Sequence, residues 1–178
     1  MHAGNTIKPG RMMKDATYWI ERFNMVKHPE GGFFHETHRS IETIRGEHLP
    51  PRYNGDRRIS TAIYFLLKGD RPSLFHRLKS EEIWHFYAGC PVTIHVINAE
   101  GEYSNVRLGV AEEGEEAYQG IIHAGSWFGA IVDDPEGYSL VGCTVAPGFD
   151  FTDFEMGERA DLLGRYPRHR GIIERLTR

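Results

Sequence analysis

Residues 73–89, SLFHRLKSEEIWHFYAG, carry the side chains best suited to chemistry: His76, Glu82 and Trp84. An imidazole beside a carboxylate can be held in one tautomer and act as a general base. Period-two alternation puts Glu82, Trp84 and Phe86 on one face of their strand, with Ile83, His85 and Tyr87 on the other. His76 and Leu78 share a face of the preceding strand. Tyr64, Tyr87 or Tyr138 could supply a proton, and the sequence does not choose among them. In HPEGGFFHETHRS (28–40), Glu36 and His38 share one strand face and His35 takes the other. HETH lacks one residue of the HExxH zinc motif and lies in a strand, so that reading fails. GSWFG (125–129) has its serine one place early for a nucleophile elbow. Cys143 in SLVGCTV has no adjacent base or helix N-terminus and reads as a buried structural thiol, and Cys90 in a Gly-Cys-Pro turn reads as inert.

Short strands must position these groups. Turn signals every 8–12 residues separate strands expected near 59–68, 73–78, 82–88, 91–97, 103–109, 117–123, 126–132 and 138–145. The pattern means a sandwich or barrel. Trp19 and Phe23, four apart, predict a short amphipathic helix near 14–23. HPEGG then breaks the chain, and an aromatic, β-branched strand follows over 33–41. Residues 44–58 read as a loop, EEGEE (112–116) as a solvated hairpin tip, and 159–164 and 170–176 as small helices.

The chain has 178 residues, of which 40% are apolar and 26% charged. That predicts one domain over 12–178 behind a flexible arm, 1–11. A net charge of −4 gives no reason to expect nucleic acid as a partner. The longest apolar run, AIYFLL (62–67), is far too short to span a bilayer. No signal peptide is visible, and two cysteines point to a reduced, cytoplasmic setting.

The segments HPEGGFFHETHRS, STAIYFLL, FHRLKSEEIWHFYAG, AGSWFGA and SLVGCTVAPGFDFTDFEMGERADLL together resemble a family of small, mostly uncharacterised cupin-like proteins. His76, Glu82 and Gly89 fall on the spacing of the first cupin signature, with Leu78 where its second histidine stands. In the second signature Gly125 matches, His123 replaces the proline and Phe128 replaces a ligand histidine. The resemblance implies an all-β double-stranded β-helix, the cupin or jelly-roll barrel, with an N-terminal helix and short C-terminal helices, usually as a homodimer. It implies no secure activity.

Inside such a barrel the resemblance suggests a small-molecule pocket around the candidate catalytic pair His76 and Glu82, with Trp84, Phe86, Glu36 and Phe128 as candidate ligand contacts. For the aromatics, core packing is the competing reading. For the pair itself, the competing reading is a hydrogen-bonded contact in a metal-free pocket. Phe33 and Phe34 could instead seal a partner subunit's sheet, and PGFDF (147–151) could form a lid or simply reverse the chain. Three functions stay open. One is metal-independent proton transfer on a small polar or sugar-type metabolite, by analogy with cupin sugar-nucleotide epimerases. Another is a divalent transition metal on His76 and Glu82, completed by His123, His95, Glu36 or His38. The last is a non-catalytic binding module.

Overall fold

The computed structural model describes residues 14–110 and 116–178. The arm expected over 1–11 and most of the acidic tip expected at 112–116 lie outside the described residues. Helix α1 (Ala16–Arg22) starts where the Asp15 side chain accepts the Tyr18 amide N–H at 2.8 Å. It packs its Trp19 and Phe23 rings, stacked 5.5 Å apart, toward the sheet behind it. Helices α2 (Arg159–Arg165) and α3 (Arg170–Arg175) close the chain.

Thirteen strands lie between: β1 (Val26–Lys27), β2 (Phe33–Arg39), β3 (Thr43–Ile44), β4 (Arg57–Arg58), β5 (Thr61–Lys68), β6 (Ser73–Leu78), β7 (Glu81–Gly89), β8 (Val92–Ile97), β9 (Tyr103–Leu108), β10 (Gln119–Ile122), β11 (Trp127–Val132), β12 (Tyr138–Ala146) and β13 (Phe154–Met156). A six-stranded sheet runs β1-β2-β5-β12-β7-β10 and faces a five-stranded sheet, β13-β6-β11-β8-β9. Every pairing between these strands is antiparallel. The stretch expected to be a bare loop, 44–58, holds the small ladder β3-β4 and a 3₁₀ turn.

Because each strand alternates, each sheet has one apolar face, and the two faces meet in the main core. Phe65, Trp84, Phe86, Ile94, Phe128 and Val141 are among its buried side chains. A second cluster seats α2 and α3 on the outside of the five-stranded sheet through Phe75, Trp127, Leu162 and Ile173. The core does not fill the sandwich to its end. Near the start of β7 a cleft remains between the sheets.

Candidate active site

The cleft is narrow and opens to solvent, with a cavity volume of about 80 Å³. Phe34, Glu36 and Arg39 of β2, Thr61, Ile63 and Phe65 of β5, Glu82 of β7, and Cys143 and Val145 of β12 form the wall from the six-stranded sheet. His76 and Leu78 of β6 and Phe154 of β13 stand on the opposite wall, and Phe149 and Phe151 cover the side. The PGFDF segment therefore does more than reverse the chain, since two of its rings line the cleft.

A β-bulge decides what β2 contributes. Glu36 pairs with Ile63, yet His38 pairs with Ala62, so Thr37 is an extra residue. Alternation restarts one place late, and Phe34, Glu36 and Arg39 face inward. His38, expected beside Glu36, is exposed. Arg39 grips Glu36 with Nε at 3.0 Å from Oε1 and Nη2 at 2.6 Å from Oε2, and Nη1 donates to the Phe149 carbonyl at 3.2 Å.

His76 is 2% exposed, and its partner is Glu30, not Glu82. Its Nδ1 lies 2.7 Å from the Leu74 carbonyl, which can only accept, so Nδ1 carries a hydrogen. Its Nε2 then faces Glu30 Oε2 at 3.3 Å. The two groups titrate as a coupled pair, each shifting the other. Burial pushes the imidazole below its ordinary range, against the pull of Glu30 and the Leu74 carbonyl. Burial also acts to raise Glu30, but His76, His28 and Ser73 outweigh it and leave the carboxyl below its usual value.

Glu30 comes from the HPEGG turn, whose glycines make its position possible. At Gly31, φ is +121° and a Cβ would sit 2.4 Å from the Pro72 carbonyl oxygen. This approach lets the Leu74 N–H reach the Glu30 carbonyl at 2.8 Å and the Ser73 hydroxyl donate to Oε1 at 2.8 Å. His28 stands on the other side of Glu30, with Nδ1 3.1 Å from Oε2 but not aligned for a hydrogen bond. Phe34, Phe65, Phe149 and Phe154 meet its ring at steep angles, and Phe151 lies nearly parallel to it at 6.1 Å. Neither His28 nor Glu30 was singled out from the sequence. The cue available there was a carboxylate between a proline and two glycines, next to an aromatic strand.

Glu82 is buried and takes part in no ion pair among the described residues. Burial, with the nearby Glu30 adding to it, pushes its carboxyl up to about 8. The Cys143 thiol and the Trp84 indole N–H pull weakly the other way. Cys143 is buried against the same group, and burial followed by Glu82 raises its thiol well above the ordinary range. It is an inert part of the wall.

The remaining expectations need correction. Trp84 and Phe86 do point inward with Glu82, but they lie deeper, in the packed core, and do not line the cleft. Phe128 is also core; its ring sits 4.1 Å from the His76 ring and braces it. Phe34 lines the cleft wall. None of the candidate tyrosines reaches the cleft: Tyr64 stacks on Phe23, Tyr87 is exposed, and the Tyr138 hydroxyl donates to the Lys14 carbonyl.

The side chains do not fit a cupin metal centre. Two histidine positions of the signature hold Leu78 and Phe128, and His76 spends one nitrogen on Leu74 and turns the other to Glu30. Among the described residues no three His, Cys, Asp or Glu side chains are arranged to hold an ion. His123 pairs with Glu81 on the surface, and His95 faces the Tyr103 hydroxyl at 2.7 Å. Untagged protein purified without chelator is expected to carry far less than one metal per chain by elemental mass spectrometry, unchanged in His76→Ala. Stoichiometric metal lost in that variant would reverse this conclusion.

Comparison with known proteins agrees with the geometry of the barrel. The family described as Cupin superfamily (DUF985) matches residues 17–157. A crystal structure of protein SO0799 from Shewanella oneidensis is 37% identical with a TM-score of 0.82, covering 93% of this chain and 99% of that one. A hypothetical protein from Leishmania major is 36% identical with a TM-score of 0.83, covering 92% and 98%. In Saccharomyces cerevisiae, the uncharacterized protein YML079W is 29% identical over 143 residues, 75% of this chain and 71% of its own.

Proposed function

The chain belongs to this cupin family, and from that premise we propose that its cleft binds a small metabolite and moves a proton on it without a metal. The observation that carries the reading is the placement in one cleft of two carboxyls with opposite environments, Glu30 in the HPEGG turn and Glu82 on β7. Glu30 faces His76 and His28 and accepts from Ser73, while Glu82 stands without an ion partner among the described residues. Environments that push two carboxyls in opposite directions assign a base and an acid. Here Glu30 with His76 takes a proton, and Glu82, neutral at pH 7, gives one. The Phe34, Phe65, Phe149, Phe151 and Phe154 rings keep water from the site and strengthen both interactions. An isomerase- or epimerase-type exchange at an acidic carbon follows from this pairing.

The test is transfer of solvent deuterium. Pooled polar metabolites incubated with the protein in D₂O are expected to show label in a single compound, read by mass spectrometry. Glu30→Gln should slow that labelling by at least about 100-fold. Ligands that stabilise the protein but never take up deuterium would reduce the cleft to a binding module.

A further inference from the structure

The charges of the cleft are lopsided. Glu30, Glu36 and Glu82 line it, and Arg39 is the one arginine or lysine among the described lining residues. Arg39 is already held by both oxygens of Glu36 and by the Phe149 carbonyl. The two histidines face Glu30. Among the described lining residues nothing positive answers Glu82, and five phenylalanines line the same cleft. Ring faces carry negative potential and attract cations. An anionic ligand would meet Glu30, Glu36 and Glu82 with no free cation among the described lining residues to answer it.

Resting on the reading of this cleft as a small-molecule acid–base site, we infer that its ligand carries an amine, held as an ammonium ion between the Glu82 carboxyl and the phenylalanine box. The binding step balances simply: the ammonium ion enters, Glu82 loses its proton to solvent, and an ammonium–carboxylate pair remains, so in an amine complex the ammonium ion takes over from Glu82 as the acid that gives the proton. Other groups facing Glu82 are Glu30 of the HPEGG turn, Cys143 of β12 and the Trp84 N–H on its own strand, with the Glu36–Arg39 pair on β2. Of these, Glu30 opposes the ionised form of Glu82 and thereby favours a cation beside it.

Three probes of similar size and different charge test this: propylamine, 1-butanol and butyrate, titrated into the intact chain by calorimetry in two buffers of different ionisation heat. Propylammonium is expected to bind more tightly than the other two and to release close to one proton at pH 7. Its affinity should rise about tenfold per pH unit and level off above about 8. Glu82→Gln should weaken it by at least about tenfold. Phe151→Ala, at an exposed position, should weaken it by about threefold. Failure of propylammonium to bind, equal binding of butyrate or butanol, or undiminished binding to Glu82→Gln would overturn the inference. The two readings fail separately. Deuterium uptake by a metabolite without an amine keeps the acid–base reading and removes this one. Amine binding with proton release but no exchange does the opposite.

Discussion

Glu82→Gln is expected to stabilise the protein at pH 7 by about 3.5–4 kcal/mol while abolishing the proposed exchange. The carboxyl titrates near 8 in the fold, against about 4.3 in the unfolded chain. Its folded value is raised, so its contribution to stability is full below the unfolded value and is lost as pH rises toward 8. Across that window each pH unit removes about 1.4 kcal/mol, because the unfolded chain has released a proton that the native state still holds. Glutamine keeps the shape and never titrates. The difference between variant and wild type should therefore be near zero at pH 4 and grow steadily to pH 8. Urea unfolding of both proteins at several pH values measures it, and a pH-independent difference would mean that Glu82 is ionised in the native protein. A stabilised but inactive variant would be the usual sign of a group kept for function at a cost to the fold.

Asp153→Asn is expected to cost about 3–5 kcal/mol. Arg57 donates from Nε to Asp153 Oδ2 at 2.5 Å and from Nη2 to Oδ1 at 2.6 Å, and both side chains are only 4% exposed. Lys79 adds a weaker contact at 3.4 Å. With an amide in place of the carboxylate, the guanidinium remains buried with only the Asn54, Gly55 and Asp56 carbonyls and the Thr152 hydroxyl around it. Asp153 lies between Phe151 and Phe154, which wall the cleft. The same change should thus weaken ligand binding as well as lower the urea midpoint. A double-mutant cycle with Arg57→Met separates the pair from packing, and a coupling below about 1 kcal/mol would show that the pair adds little.

Much of the barrel was legible because its signals are local. Strands β5 to β12 fall within two residues of the turn-bounded segments at both ends, and α1 begins at the aspartate that caps it. The inward face of β7 also followed from alternation alone. Alternation states which face a side chain takes, however, not how deep it lies. Glu82 borders the cleft, while Trp84, two residues along the same face, is core.

The site was only half legible for a related reason. Glu30 reaches Ser73 across 43 residues of sequence, through a glycine turn pressed against Pro72, and no spacing rule connects such positions. The bulge at Thr37 depends on how β2 registers against β5, and it exchanged the expected His38 for Arg39. The sequence by itself determined the strands, their inward faces, and the membership of His76 and Glu82 in one pocket wall system. Tertiary structure alone decided that His76 couples to Glu30 and that Glu82 stands apart. Electrostatic coupling and burial depend on a few ångströms of separation and on what excludes water, and those quantities exist only once the two sheets and the HPEGG turn have packed together.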